Sequence, residues 1–417
     1  MAKKIISEQF DVLVIGGGPA GLMAAGRSSE KGSRVALIEK NDRYGIKLLM
    51  TGNGRCNVTQ DSDNMIELAK SYKNGRFLLS AFSLFGPSQI RGFLKSHGLE
   101  TKVEKNGRVF PVSDQSKDVL DILYQYCRNN GVTFFNTEEV IDIEKEGNKI
   151  TKVITRKKEI SAEKYILATG GKSYPQTGSS GRGYDWANKL GHNIIEPLPC
   201  LVPIKVQDQW IENAQGISAH NVELSIFAGE KRIARESGDI MFAHYGISGP
   251  LALNLSREIQ KVSPDKIAKI SIDLKPELSF EQVDEIVRRD FENNASKNIS
   301  NCLKDFASPK LLELLFLISG IDTEKHAGNI SKENRQKLSR LFKEIKLTVD
   351  ELFGFEKAMV TSGGVATKEI DSKTMQSKIT ENLYFAGEII DVDGPTGGYN
   401  LQLCWSTGYL AGDSAVS

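Results

Sequence analysis

Three glycines spaced Gly16-x-Gly18-x-x-Gly21, with an acidic residue at Glu39, are the clearest chemical signal in the sequence. This spacing is typical of loops that bind the pyrophosphate of a dinucleotide. Gly16 allows a tight turn, Gly18 lets the backbone approach the phosphates, and Gly21 allows a helix to pack closely on a strand. Glu39 lies 18 residues after Gly21, where a carboxylate accepts hydrogen bonds from a ribose diol and repels a 2′-phosphate. We therefore predict that the adenosine half bound here is not that of NADP.

The residues around these glycines predict a β-α-β unit that would position them. Residues 12–15 and Val35–Ile38 are apolar runs of the length of buried parallel strands. Residues 19–31 predict a helix, because Pro19 suits a first turn and Gly32 suits the left-handed residue after the end. The N-terminus of this helix, at Pro19 and Ala20, would direct free N–H groups and a partial positive charge at the phosphates.

A second glycine-rich segment, residues 47–57, is predicted to be a loop because its glycines and asparagines interrupt a helix. Its glycines expose backbone N–H groups, its basic residues carry positive charge, and its asparagines can donate and accept hydrogen bonds. NAD has no evident need for a second loop of this kind beside the first unit, whereas a longer dinucleotide could use one. The residues we expect to contact the ligand are Lys47, Gly52, Asn53, Gly54, Arg55, Cys56 and Asn57.

Two further segments end in glycines, at residues 168–171 and 387–398. NAD would need only the first glycine motif, whereas all four segments suit FAD. Glu388 would accept hydrogen bonds from the ribityl hydroxyls. The helix that starts near Gly398 would direct its N–H groups at the flavin N1/O2 edge, favouring the negative charge of reduction by ~0.3–1 kcal/mol, up to ~2 when partly buried. The other residues expected to contact FAD are Lys40, Ala168, Thr169, Gly170, Gly387, Gly398, Asn400 and Leu401.

Composition limits the classes of partner. The 417 residues include 54 Lys and Arg against 53 Asp and Glu, so no excess of charge points to nucleic acid or an anionic membrane. No signal-peptide pattern and no stretch of about 18 apolar residues is present, so we expect no membrane segment. The five cysteines are far apart and form no C-x-x-C pair, which favours a reduced, cytoplasmic protein with no metal site.

The order of elements predicts an α/β fold with a Rossmann-like FAD-binding domain that is interrupted by an insertion. Residues 1–195 and 356–417 would form the FAD-binding domain. Residues 196–275 carry strand patterns that fit an antiparallel sheet or barrel, residues 276–345 are helical, and residues 346–355 return a strand to the barrel. Three prolines within residues 197–203 mark the start of the insertion.

The sequence resembles the BaiN-type NAD(P)/FAD-dependent oxidoreductases, a family of glutathione-reductase-like flavoproteins. The resemblance covers nearly the whole chain. It rests on segments 14–21, 47–57, 107–114, 168–175, 242–250 and 397–402, among them Thr51-Gly-Asn-Gly-Arg-Cys-Asn57 and His244-Tyr-Gly-Ile-Ser-Gly-Pro250. It implies an FAD domain in β/β/α layers with an inserted β-barrel and a small three-helix bundle. It also implies that the strand near Val140 contacts FAD. The chain departs from the family pattern at Ile46 and at Leu403-Cys404.

We therefore expect an FAD-dependent oxidoreductase in which flavin N5 exchanges a hydride with a small organic substrate. NAD(P)H would be the donor and would dock transiently, because the chain has a single dinucleotide fingerprint. Candidate catalytic residues are Arg55, Cys56, His244, Tyr245 and Tyr399. Two of them have a structural alternative, since Cys56 fits a buried thiol and His244 a glycine-flanked turn. An amine or aminoketone oxidase that uses O2, and a non-catalytic flavin-binding partner, remain alternatives.

Overall fold

The computed structural model describes residues 6–263 and 266–416. The strands are β1 (Ile6–Ile15), β2 (Val35–Ile38), β3 (Thr59–Gln60), β4 (Thr101–Val103), β5 (Arg108–Pro111), β6 (Thr133–Phe135), β7 (Val140–Glu146), β8 (Lys149–Thr155), β9 (Lys158–Leu167), β10 (Ile194–Cys200), β11 (Ile204–Val206), β12 (Ser218–Ala228), β13 (Lys231–Ala243), β14 (Gly246–Ser248), β15 (Ala268–Asp273), β16 (Ile345–Leu352), β17 (Val360–Val365) and β18 (Leu383–Phe385).

The α-helices are α1 (Pro19–Glu30), α2 (Ile46–Met50), α3 (Met65–Lys70), α4 (Leu79–Leu84), α5 (Pro87–Ser96), α6 (Ser116–Asn129), α7 (Arg182–Lys189), α8 (Pro250–Ile259), α9 (Phe280–Asn293), α10 (Pro309–Ser319), α11 (Lys332–Lys343) and α12 (Tyr399–Ser414). The chain divides into two compact units. The first comprises the described residues up to Cys200 and from Phe355 onward, and the second is Leu201–Gly354.

The first unit is built on a parallel sheet with the strand order β6-β2-β1-β9. Strand β18 lies beside the carboxyl end of β9 and pairs with it in parallel. An antiparallel meander, β7-β8-β9, continues the sheet from the other half of β9. Val12–Ile15 of β1 and all of β2 are buried, as expected for parallel strands covered on both faces. Helix α1 packs against α6 and α12, so the two ends of the chain meet in one unit.

The predicted β-α-β unit is present, with α1 ending at Glu30 and β1 starting six residues before the predicted strand, at Ile6. Gly16 has a φ of 109°, which a tight left-handed turn requires. A Cβ on Gly21 would lie 1.8 Å from the carbonyl oxygen of Gly16, so only glycine allows this packing of helix on strand. The predicted reasons for Gly16 and Gly21 are confirmed.

The second unit contains a closed antiparallel barrel with the strand order β11-β14-β13-β12-β15-β16. Alternate residues of its strands, such as Leu224, Ile226, Ile270 and Ile272, are buried. Helices α9, α10 and α11 follow β15, and β16 returns to the barrel before the second unit ends. The predicted α/β fold with an inserted antiparallel barrel is confirmed.

Some boundaries differ from the sequence predictions. Strand β13 runs unbroken from Lys231 to Ala243, and helix α8 interrupts residues 196–275, for which the sequence predicts strands. Residues 75–84 form a 3-10 turn, Gly75–Leu78, followed by α4. The two units divide within the predicted proline-rich boundary, between Cys200 and Leu201, and residues up to Cys200 belong to strand β10. In the described part of the chain, β10 pairs with β17 alone. Its register shifts between Ile195 and Leu198, around Pro197, because a proline cannot donate to the ladder.

Candidate functional site

The first glycine loop, the end of β9 and the segment after β18 meet in the first unit. A Cβ on Gly16 would lie 2.4 Å from the carbonyl oxygen of Ala168, and one on Gly387 would lie 2.7 Å from Cβ of Ala20. These short distances show that the three segments pack so closely that only a glycine fits at Gly16 and at Gly387. The predicted cofactor residues of segments 16–21, 168–170 and 387–388 are therefore brought together.

The second glycine loop reaches the same region through the start of α12. A Cβ on Gly398 would lie 2.4 Å from the carbonyl of Thr59, and Thr59 Oγ1 donates to Gln402 Oε1 at 2.6 Å. Asn400 serves the loop before α12, because its side chain accepts from the N–H of Gly394 at 2.9 Å and donates to the carbonyl of the same residue. This geometry gives Asn400 a role in shaping the loop.

Glu39 is held by the backbone around it. Its Oε2 accepts from the N–H of Gly17 at 2.8 Å, and its Oε1 accepts from the N–H of Asn41 at 2.9 Å. These bonds fix the carboxylate beside the first glycine loop and leave each oxygen able to accept a further hydrogen bond. Next to it, Lys40 Nζ donates to Ser180 Oγ at 3.2 Å. Val140, which the family resemblance assigns to the cofactor, is the buried first residue of β7.

Glu388 receives three donors from distant parts of the chain. Its Oε2 accepts from Lys47 Nζ at 2.9 Å, and its Oε1 accepts from Ser173 Oγ at 2.8 Å and from the N–H of Thr361 at 2.7 Å. Ser173 and Thr361 were not predicted as site residues. Ser173 lies 215 positions from Glu388 and Thr361 lies 27 positions from it, and no local pattern joins either residue to this carboxylate.

The residues present fit FAD. A Cβ on Gly18 or on Gly54 would meet no atom within 4 Å, so both backbones are open to a ligand. At Gly170 a Cβ would meet only Ser179 Oγ at 3.3 Å and Glu388 Oε2 at 3.9 Å. Helices α1 and α12 have no side-chain hydrogen bond at their N-caps, which leaves their N-termini to an anion.

Two buried hydroxyls in the same region have no hydrogen-bond partner among the described residues. They are Thr169 Oγ1, directly after β9, and the OH of Tyr184 in α7. A Cβ on Gly171 would lie 3.2 Å from this tyrosine oxygen. Burial, with a smaller effect from Glu388, raises the pKa of Tyr184, so the phenol stays neutral and can donate. A polar ligand that passes along the end of β9 could satisfy both hydroxyls.

The second loop contains two candidate catalytic residues, of which Arg55 is bound to acidic side chains and Cys56 is buried. Arg55 Nε donates to Asp114 Oδ1 at 2.8 Å, its guanidinium also bonds Glu104, and it lies 4.0 Å from the ring centre of Phe110. The bonds with Glu104 and Asp114 raise the pKa of Arg55 above its usual value. Cys56 is fully buried, and burial raises the pKa of its thiol to about 12, which disfavours a reactive thiolate.

The other catalytic candidates lie in different units. Tyr399 is the first residue of α12, and its carbonyl accepts from the OH of Tyr72 at 2.7 Å. His244 and Tyr245 lie between β13 and β14 of the second unit, with their ring centres 4.9 Å apart. The ring of Tyr245 also meets that of Phe353 at 4.7 Å. The five catalytic assignments stay predictions.

Residues 6–263 and 266–416 contain neither a cluster of metal-ligating side chains nor a membrane-spanning helix. No group of three or more His, Cys, Asp or Glu side chains in these ranges could hold a metal ion. In this part of the chain, no helix has both the length and the apolar character needed to cross a bilayer.

Relatives match the chain along nearly its whole length. A family model described as the HI0933-like protein Rossmann domain matches residues 10–414. A 3-dehydro-bile acid delta(4,6)-reductase of Clostridium scindens is 32% identical over 97% of this chain and 98% of its own length. A ribosomal RNA dihydrouridine synthase of Escherichia coli is 30% identical over 98% of this chain and 99% of its own, and a protein of the same name from Haemophilus influenzae is 29% identical.

Solved structures share the fold. A 3-ketosteroid delta1-dehydrogenase from Sterolibacterium denitrificans has a TM-score of 0.55 at 12% identity, covering 98% of this chain and 99% of that one. A 3-ketosteroid-delta4-(5alpha)-dehydrogenase from Rhodococcus jostii has a TM-score of 0.51 at 15% identity, covering 98% and 97%. The predicted family is confirmed: this chain belongs to the HI0933-like family of Rossmann-type FAD-binding proteins and is an FAD-dependent oxidoreductase.

Proposed function

We propose that this chain is a cytoplasmic enzyme that reduces a carbon–carbon double bond conjugated to a carbonyl group, with NAD(P)H as the electron donor. One observation carries the proposal: the likeness over 97% or more of the chain to a relative named as a delta(4,6)-reductase and to another named as a dihydrouridine synthase. A delta(4,6)-reductase of a 3-oxo bile acid and a dihydrouridine synthase both saturate a double bond from which a carbonyl withdraws electrons. The sequence similarity to both relatives extends over the second unit as well as over the first, FAD-binding unit.

The chain's own residues would hold and orient the cofactor. The N-terminus of α1, opened by Gly18, would bind the pyrophosphate, and Glu39 would accept from the ribose of the adenosine half. Glu388 would accept from the ribityl chain, and the N-terminus of α12 would face the flavin edge that becomes negative. FAD supplies the hydride carrier, and the protein supplies binding, orientation and electrostatics.

We propose a small molecule with a conjugated enone as the first substrate class. A uridine base in ribosomal RNA is the second, because the relatives from E. coli and H. influenzae carry that activity in their names. The net charge of +1, from which we predicted no nucleic-acid partner, does not decide between them. A local positive face is enough to bind RNA even when the whole chain is near neutral.

Anaerobic titration of the purified yellow protein tests the proposal. We expect NADH or NADPH to bleach the flavin absorbance near 450 nm, and a 3-oxo-4-ene steroid to restore it, with the saturated product found by mass spectrometry. Deproteinised ribosomal RNA from a strain that lacks this protein serves as the parallel acceptor, with dihydrouridine as the product. The Gly18→Val variant, expected to carry no flavin, controls for chemistry outside the site.

The outcomes separate the functions. Restoration by the steroid alone supports a small-molecule reductase, and restoration by the RNA alone supports the second substrate class. Bleaching only by small amines, with peroxide formed in air, would instead establish an oxidase. A flavin that no nicotinamide donor and no amine reduces would contradict the proposed reaction.

A further inference from the structure

Lys47 and Glu388, 341 residues apart, form a shielded ion pair in the first unit. Lys47 Nζ lies 2.9 Å from Glu388 Oε2, and it also donates to Ser173 Oγ at 2.6 Å. The side chains are 23% and 13% exposed, so solvent screens their charges only partly. From the sequence we predict that Lys47 contacts the cofactor, and in the structure its ammonium lies against the Glu388 carboxylate.

The described donors around Glu388 leave one hydrogen-bond acceptor position of its carboxylate unused. Ser173 Oγ and the N–H of Thr361 both bond to Oε1, and Lys47 bonds to Oε2. A carboxylate oxygen can accept about two hydrogen bonds, so Oε2 keeps one position. This oxygen is 3.9 Å from where a Cβ on Gly170 would lie. Among the described residues not adjacent to Gly170 in sequence, only Ser179 Oγ, at 3.3 Å, lies nearer to that point. The free acceptor position therefore belongs to the carboxylate oxygen that lies beside Gly170.

The geometry points to Lys47 as a positioning residue that holds Glu388 for the ribityl chain and neutralises its charge, and so raises the reduction potential of bound FAD. The inference rests on the proposed flavin site, in which Glu388 faces the ribityl chain. Reduction adds negative charge to the flavin, and an unpaired carboxylate beside it would oppose that change. With Lys47 in place, Glu388 can accept a hydrogen bond from the ribityl chain while the ion pair as a whole carries no net charge.

A double-mutant cycle on the purified holoprotein tests this inference through the two-electron reduction potential, measured by equilibration with reference dyes. Lys47→Met should weaken binding of reduced FAD relative to oxidised FAD about tenfold, a fall of about 30 mV. Glu388→Gln leaves the ammonium unpaired and should raise the potential by a similar amount. The double variant, with no charge on either side chain, should return close to the wild-type potential.

Three controls make the result specific. Lys47→Arg should keep the potential, because it keeps the charge. Lys70→Met removes a lysine from the exposed pair with Glu67 and should change nothing. Lys47→Gln, whose amide can still donate to Glu388, replaces Lys47→Met if that variant loses FAD, and it should show the same fall.

Shifts of the same sign in Lys47→Met and Glu388→Gln, or an unchanged potential in Lys47→Gln, would overturn the inference. No substrate enters these measurements. Failure of the proposed double-bond reduction would therefore leave their result unaffected.

Discussion

The indole Nε1 of Trp405 donates a hydrogen bond of 2.8 Å to the carbonyl of Val58, 347 residues earlier in the chain. Both residues are fully buried. The bond attaches α12 to the residues directly after the second glycine loop. It therefore fixes one predicted cofactor segment against another, and it explains why the site needs both ends of the chain.

Replacement of Trp405 by Phe should destabilise the first unit. Phenylalanine cannot donate, so the buried carbonyl of Val58 would lose its partner at a cost of about 1–3 kcal/mol. Urea unfolding of the apoprotein measures the loss, and FAD affinity should fall with it because the second loop is released. Trp186→Phe, at a half-buried position of α7, should cost less. Equal losses in the two variants would contradict the role given to this bond.

Gly18→Val and Gly21→Ala should separate cofactor binding from folding. A Cβ at Gly18 meets open space and its φ of −79° suits any residue, so the apoprotein should keep its stability and lose FAD. A Cβ at Gly21 would lie 1.8 Å from a backbone oxygen, so that variant should unfold at lower temperature. FAD fluorescence quenching and thermal unfolding measure the two effects.

The opposite pattern would contradict the pyrophosphate assignment. A Gly18→Val protein that stays yellow after gel filtration would show that the space beside Gly18 is not used. A Gly18→Val apoprotein that melts far below the wild type would show that the residue serves the fold instead.

Cys56→Ala should keep flavin binding and turnover. Burial raises the pKa of the Cys56 thiol to about 12, so at neutral pH it is neither a thiolate nor a ready proton donor. We expect a modest loss of stability from the missing sulfur and an unchanged kcat in the proposed NAD(P)H-dependent reduction. A loss of turnover greater than tenfold, with FAD still bound, would establish Cys56 as catalytic and overturn the structural alternative.

Local patterns predicted the parts of the site that depend on neighbours in sequence. The turn at Gly16, the packing at Gly21 and the apolar strands on either side follow from spacing alone. The acceptor role of Glu388 was also predicted, but its partners Lys47, Ser173 and Thr361 were not paired with it. These partners lie 341, 215 and 27 positions from Glu388. Such hydrogen bonds depend on how the whole unit folds, and a single sequence carries no signal for them.

The second unit shows the same limit. Alternating apolar residues predicted most of its strands, yet closure of the barrel depends on β11 pairing with both β14 and β16. Strand β11 is three residues long and follows three prolines, so its own sequence gives almost no period to detect. The position of β11 in the barrel is therefore determined by its pairing with β14 and β16.

Stability of the first unit should fall as the pH drops below about 6.5, and His192 should account for part of the slope. The imidazole is 1% exposed, and its Nε2 lies 2.8 Å from Ser377 Oγ. Burial lowers the pKa of His192, against the opposing effect of Glu369. Below the unfolded-state pKa of about 6.5, the unfolded chain therefore binds a proton that the folded chain does not. One such proton gives a slope of at most about 1.4 kcal/mol per pH unit.

His192→Gln removes the titrating group and keeps a side chain that can bond to Ser377, so its stability should vary less between pH 6.5 and 5. Urea unfolding at several pH values measures the difference between the two proteins, and His220→Gln, at an exposed position of the second unit, should follow the wild type. A His192→Gln slope equal to the wild-type slope would mean that folding does not hold this imidazole neutral. A wild-type free energy of unfolding that varied more steeply with pH above 6.5 would also contradict the prediction. A histidine whose pKa is lowered by folding gives no pH dependence of stability in that range.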